Sequence, residues 1–170
     1  MQLSGLRDEF SWWEPVEIAV WWHDAIYDPA RSDNEARSAA LMRDDLQGLA
    51  DQRLIDRAAT LIEATAHHAV RDGLEPDVAR DMALFLDVDM GILGAPAAAF
   101  AAYEAGIAAE YVPVHGIEKY RAGRAMVLTS FLARDRLYLS DHFHGLLEEH
   151  ARANLAGLIA TLTPPTPALD

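Results

Sequence analysis

Apolar residues recur at three-to-four-residue spacing along this chain, and no stretch alternates apolar with polar as a half-buried strand would. Such a pattern folds into helices joined by turns marked with proline and glycine. Residues 14–26 predict a helix that is apolar nearly all round, hence buried, with Trp21 and Trp22, like Trp12 and Trp13 just before, as core rather than nucleobase platforms; Trp12 and Trp13 are instead exposed if a preceding helix is missing. It should end near Asp28-Pro29, because proline disfavours helical geometry in the residue before it. A second helix is expected over residues 32–47, stopped by Gly48. A third covers 51–68, with Leu54, Ala58, Leu61, Ile62 and Thr65 at helical spacing. Pro76 opens a fourth that carries Met82, Phe85, Leu86 and Leu93 on one stripe. An alanine-rich fifth runs over 96–111 until Pro113 breaks it, a sixth over 117–133, and the last from Ser140 to about residue 162. The expected fold is all-α, one helical bundle of about six to seven helices over residues 1–162. The terminal TPPTPALD, residues 163–170, has a composition that cannot pack and reads as a flexible tail.

Charge narrows the partners. With 14 Lys and Arg against 27 Asp and Glu, the net charge is 14 − 27 = −13, which repels a nucleic-acid polymer at long range. A small anionic substrate remains compatible, because a bound dication and a few basic residues reverse the sign locally. The chain has no cysteine, which removes disulfides, thiolate metal sites and cysteine nucleophiles and fits a cytoplasmic protein. The start, MQLSGLRDEFSWWEP, lacks the basic and apolar runs of a signal peptide. The most apolar stretch, residues 16–27, is interrupted by His23 and Asp24 and is too short for a bilayer, so no membrane association is expected.

The informative chemistry is His23-Asp24 inside VEIAVWWHDAIYD. A carboxylate buried there needs a cation or strong donors, since leaving it unpaired costs several kcal/mol. Imidazole plus carboxylate suits Mn, Fe, Co, Ni or Zn, whereas Mg prefers oxygen alone. A hydrogen-bonded core pair is the competing account. In FLDVDMGILG, Asp89 follows Phe85 by one turn and shares its inward stripe, while Asp87 is rotated by about 200° and is the alternate. Otherwise one of the two aspartates caps a new turn at Gly91.

Taken in order, AVWWHDAIYDP, SDNEARSA, LIEATAHH, FLDVDMGILGA, YRAGRAMVLTSFL and ARANL resemble the family of predicted metal-dependent HD-domain phosphohydrolases, over residues 12–155. The resemblance implies a helical bundle in which a first His, a His-Asp pair and a distal Asp hold a divalent metal. His23 and Asp24 match the pair and Asp89 the distal Asp. It also implies a metal-activated water attacking a phosphoryl group of a small phosphorylated metabolite or nucleotide. Residues 1–22 contain no histidine, so the domain is expected to be shortened at its N-terminus relative to the family, with the first-ligand position open to a water or another histidine.

Further residues carry two accounts each. Glu35 resembles the family's acidic residue that orients the water or acts as general base, and it also completes a capping box with Ser32. His67 and His68 could bind a second metal, or they are imidazoles favoured at a helix C-terminus. Arg124, with Lys119 and Arg121, could bind a substrate phosphate or form a solvated, salt-bridged face. His142, His144 and His150 read as surface residues. A non-catalytic binding or regulatory domain is the alternative function. Self-association as a homodimer through the first and fifth helices is a third reading.

Overall fold

The structure, a computed structural model, describes residues 3–163. Every regular element among them is helical. The seven α-helices are α1 (Trp13–Trp22), α2 (Asn34–Leu46), α3 (Gln52–Ala64), α4 (Pro76–Asp89), α5 (Ala97–His115), α6 (Ile117–Leu132) and α7 (Asp141–Leu162). Short 3-10 segments lie at Leu3–Glu9 and Met90–Gly94. The fold is all-α, as the periodicity predicts. Thr163 caps α7, and the rest of the predicted tail, residues 164–170, lies outside the described residues. No single helix among the described residues is long and apolar enough to cross a membrane. The chain divides into two compact units, Met1–Asp89 and Met90–Asp170.

In the first unit α3 is the central element and packs against α1, α2 and α4. Its strongly one-sided sequence buries Ile55, Ala58, Ala59, Leu61 and Ile62, and each large aliphatic side chain so buried contributes roughly 1.5–3 kcal/mol. Asp51 starts it by accepting the Arg53 amide at 2.8 Å. α1 is held at its start from another helix. The fully buried Asp81 of α4 accepts the amides of Ser11 (2.8 Å) and Trp12 (3.1 Å), and Arg57 of α3 reaches the same carboxylate at 3.3 Å. The expectation of an all-round buried first helix is corrected. Only Pro15, Val16 and Ala19 of α1 are buried, and Trp21 is 75% exposed. None of the four tryptophans is core: Trp13 donates its indole N–H to Glu17 and Trp22 to Asp45, each at 3.2 Å. An indole with one polar atom is satisfied at a half-wet surface of this kind.

In the second unit α6 packs between α5 and α7, and α7 packs on the 3-10 segment Met90–Gly94. Asn154 of α7 ties that segment down by donating to the carbonyls of Leu93 (2.8 Å) and Ala95 (2.9 Å). Tyr138 adds a bond to the Met90 carbonyl at 3.1 Å. Gly94 is required by close approach, because a β-carbon there would stand 2.7 Å from Cβ of Leu147. The Glu148 carboxylate of α7 gathers the preceding loop by accepting the amides of Leu137 (3.0 Å) and Tyr138 (3.1 Å), with Arg152 beside it at 2.7 Å. α5 does not stop at Tyr111 but runs through Pro113 to His115. Pro113 forgoes the bond its N–H would make to the carbonyl four residues back, yet the helix continues past it, and the true stop is Gly116, at φ 81°, whose amide closes on Val112 at 2.9 Å.

Candidate metal centre

His23 caps the end of α1. Its amide donates to Ala19 at 2.9 Å, and Ala25 then bonds Trp22 at 3.0 Å, the tighter spacing with which a helix unwinds. The next amide, Ile26, is taken by the Ser38 hydroxyl of α2 at 3.0 Å, and that hydroxyl donates back to the Ile26 carbonyl at 3.3 Å. Asn34 makes the same two-way clasp on Asp28, at 3.1 and 3.0 Å. Hence the first helix ends at Trp22 rather than at residue 26, and Asp24 lies in a turn with its side chain 67% exposed. α2 opens at Asn34 with Asp33 in the cap position, so Ser32 and Glu35 are out of register for a capping box. Asp33 itself is gripped by the Arg31 guanidinium at 2.7 and 2.6 Å.

On α4, Asp89 does share the face of Phe85. The Phe85 ring meets the His23 imidazole edge-on with centroids 6.2 Å apart, and Oδ1 of Asp89 lies 3.5 Å from Nε2 of His23. Asp87 is fully buried. The regular helix ends at Asp89 and tightens to 3-10 geometry from Met90, instead of continuing through Leu93.

The third contributor comes from the end of α3. That helix stops at Ala64, short of the expected His68, and the His68 amide still reaches the Ala64 carbonyl at 3.0 Å. His68 has φ 46°, the only positive value at a non-glycine residue among those described. This left-handed turn brings its Nε2 to 2.9 Å from Oδ2 of Asp89. His67, its neighbour, is exposed.

Contacts therefore run from Asp24 to His23 (3.3 Å), from His23 to Asp89 (3.5 Å) and from Asp89 to His68 (2.9 Å). The orientation of His23 carries the electrostatic consequence. Its Nδ1 lies 3.1 Å from the Val20 carbonyl, which can only accept, so Nδ1 bears a proton. In the neutral ring Nε2 would then turn a lone pair toward two carboxylate oxygens. A lone pair facing a carboxylate oxygen calls for a proton or another cation between the two. The second imidazole proton is one such cation, and accordingly the Asp24 and then the Asp89 hydrogen bonds push His23 up to about 10, against burial. Burial pushes Asp89 up, but the two imidazoles outweigh it and hold the carboxyl well below the usual carboxylate range.

In donor chemistry alone, imidazole with carboxylate also suits a divalent ion. Nδ1–H held by a carbonyl, with Nε2 left for the ion, is the usual orientation of a ligating histidine. Donors around an ion at about 2.0–2.2 Å stand roughly 3 to 3.5 Å from each other, the range of these contacts. As the side chains stand, no group of three or more His, Asp or Glu among the described residues forms a ready metal cage. Asp89 divides its two oxygens between the two imidazoles, so the four side chains form a chain of pairs rather than a shell around one point.

Comparison with family models, with curated proteins and with solved structures gives no match.

The geometry links His23, Asp24 and Asp89, read from the sequence as ligands, in a chain of pairs that also takes in His68, read there as a candidate for a second metal. Glu35 is half-buried in the first turn of α2, one turn before the Ser38 that clasps Ile26. The basic group belongs to the second unit. Arg124 is not free to meet a phosphate there: it is paired with the buried Glu104 through both Nε (3.0 Å) and Nη2. Burial opposes its charge, but Glu104 more than compensates and raises it above the ordinary arginine value. Arg121 donates to the Thr161 carbonyl at 3.4 Å, and Lys119 is exposed. His142 and His150 are exposed, and His144 lies 3.2 Å from Glu148.

Proposed function

We propose that this chain is a metal-dependent phosphohydrolase of the HD-domain type, acting on a small phosphorylated metabolite or nucleotide. The observation that carries the reading is the His23 ring, fixed by the Val20 carbonyl with Nε2 between Asp24 and Asp89. The ordered motifs around it, from AVWWHDAIYDP to ARANL, agree with that type.

His23, Asp24 and Asp89 would hold the ion, and their mixed nitrogen and oxygen donors favour Mn, Fe, Co, Ni or Zn over Mg. Bound there, such an ion supplies positive charge for a phosphoryl group and acidifies a coordinated water. Asp24, exposed in its turn, gives the substrate access to this point, and Phe85 closes the side of His23 away from solvent. Glu35 is assigned the uptake of the proton from the attacking water on the strength of its match to the family's acidic residue alone. A cytoplasmic location, with no nucleic-acid polymer or membrane as partner, belongs to the same reading and is supported by the absence of cysteine and the charge of −13.

The test is metal analysis of protein purified without chelator, then a screen of phosphate esters with Mn²⁺, Co²⁺ and Ni²⁺. Activity that Asp24→Asn and Asp89→Asn each abolish supports the hydrolase. Bound metal with no turnover on any ester counts against it. A non-catalytic regulatory domain is the second reading, favoured by the closed pairing of Asp89 with both imidazoles. It predicts weak metal binding and an Asp24→Asn variant that keeps every property of the parent.

A further inference from the structure

We propose that the outer face of α5 is the contact between two copies of this chain, which meet there as an antiparallel helix pair about a twofold axis at Gly106. This is independent of the metal-dependent reading and stands or falls without it.

The first observation is a helix that is apolar on all sides yet covered on one. α5 has no lysine or arginine and only two carboxylates, but of its 19 residues only Phe100 and Glu104 are buried. A helix of that composition ordinarily lies inside a larger core. Glu104 marks the covered side, since it is paired with Arg124 of α6. Gly106 is rotated from Glu104 by about 200° and so centres the opposite face. Around it Ala99, Ala102, Tyr103, Ala109, Glu110 and Pro113 share that face, and all are exposed. A membrane is a poor cover for it, because no single helix among the described residues is long and apolar enough to cross one and the charge of −13 is repelled by anionic lipid.

The second observation is that this face matches itself, which a contact between two equal copies requires. A twofold axis at Gly106 sets each residue level with the one equally far on the other side of 106 in the second copy. Along one edge Ala102 then meets Ala109 of the second copy, and with Gly106 between them nothing bulky holds the helices apart. Along the other edge Tyr103 comes beside Glu110 of the second copy, a phenol donor beside a carboxylate, and symmetry forms that pair twice. The third observation is charge. Antiparallel helices set opposite dipole ends together. The two Glu110 side chains stand four residues either side of the axis, about 12 Å apart along it, beyond the screening length of about 8 Å at physiological ionic strength. An acidic chain can therefore approach its own copy here. α1, the other helix expected to self-associate, exposes Glu14 and Glu17 on the side that carries Trp21, where two copies would repel.

The experiment measures self-association of the full chain by sedimentation equilibrium in EDTA, for the parent and for Gly106→Glu and Ala122→Glu. One helix pair is smaller than the roughly 800 Å² per partner of a standard interface, so the parent is expected to dimerise with a Kd in the micromolar range. Gly106→Glu places like charges on the axis and should weaken the dimer by about a hundredfold. A β-carbon at Gly106 meets nothing within 4 Å in its own chain, and glutamate is the better helix former, so the melting temperature of the dilute variant should be unchanged or raised. Ala122→Glu adds the same charge on the exposed side of α6 and should leave the Kd within about twofold. The chain has no cysteine, so a single one reports proximity. Gly106→Cys should form a disulfide-linked dimer under mild oxidation far faster than Ala122→Cys. A parent that stays monomeric up to about 1 mM overturns the proposal. So does a Gly106→Glu dimer as tight as the parent's, or faster cross-linking through Ala122→Cys, which would move the contact to α6. A monomeric parent whose binding to neutral phosphatidylcholine vesicles is lost in Gly106→Glu would replace the second copy by a lipid surface.

Discussion

Asp81 and Asp89, both on α4, hold opposite ends of α1. Asp81 accepts the amides of Ser11 and Trp12 just ahead of the helix, and Asp89 meets His23 at its C-terminal cap. Polar contacts from α4 therefore reach α1 at both of its ends, while its apolar Val16 and Ala19 are buried. The placement of His23 over Asp89 depends on this double anchorage.

Asp81→Ala should consequently unsettle the centre as well as the fold. It leaves two amides without their acceptor and strands Arg57, whose side chain is only 15% exposed. Breaking a buried pair from one side costs about 3–5 kcal/mol. Urea unfolding should show a loss of that order, and metal affinity should fall although Asp81 touches no ligand. A loss below about 1 kcal/mol would mean that the anchor is dispensable.

How much of this was legible in the sequence differs by residue. Helix existence followed from periodicity, which needs only local spacing. Helix ends did not, since Ser38 ends α1 by capturing Ile26 from another helix, and Gly116 rather than Pro113 ends α5. His23, Asp24 and Asp89 stood out as polar residues on apolar stripes. His68 was ambiguous, because its contact with Asp89 depends on a left-handed turn that local propensity argues against. Asp81 was missed, although it precedes Phe85 by one helical turn on the stripe that carries Asp89, and a second carboxylate on that stripe was the available signal.

In the second unit two neighbouring glycines should behave oppositely. A β-carbon at Gly94 meets Leu147 Cβ at 2.7 Å and the Tyr138 hydroxyl at 3.0 Å, while one at Gly91 meets nothing within 4 Å. Gly94→Ala should destabilise by about 1–3 kcal/mol through overpacking. Gly91→Ala should be neutral or slightly stabilising. Thermal melts of the two variants beside the parent decide it, and equal melting temperatures would refute the close approach at Gly94.

Glu148 sets an acid limit for the loop ahead of α7. Burial pushes its carboxyl up, but the Leu137 and Tyr138 amides, then Arg152, outweigh it and hold it below the ordinary 4.5. A group depressed in the folded state contributes stability that is fully present above its unfolded pKa and is lost as pH falls through the folded value. Amide exchange at Leu137 and Tyr138 should therefore accelerate as pH drops below about 4.5, once intrinsic rates are corrected. Glu148→Gln should remove this acid dependence, and a parent-like profile in that variant would transfer the effect to another group.

Metal should stabilise the folded chain selectively. At about a hundred times its Kd, an ion that binds only the native state adds about 2.7 kcal/mol. Co²⁺, Mn²⁺ or Zn²⁺ should raise the melting temperature, EDTA should return it to the metal-free value, and Mg²⁺ at the same concentration should do little, because an imidazole is a poor ligand for it. Equal stabilisation by Mg²⁺ would point to an all-oxygen site elsewhere.

Ser38→Ala separates positioning from ligation. The hydroxyl accepts the Ile26 amide and donates to the Ile26 carbonyl, and this closes the turn in which Asp24 is presented beside His23. Ser38 is fully buried, so alanine fits its space but leaves both backbone groups of Ile26 without that partner. The stability loss should be about 1–3 kcal/mol. Metal affinity should fall by roughly tenfold, less than for loss of a ligand, because Asp24 is still present but less well oriented. In the phosphate-ester assay with saturating metal, Ser38→Ala should recover much of the parent rate, whereas Asp24→Asn should not. If saturating metal fails to separate the two variants, the clasp does more than orient the turn, and Ser38 would have to act on the substrate itself.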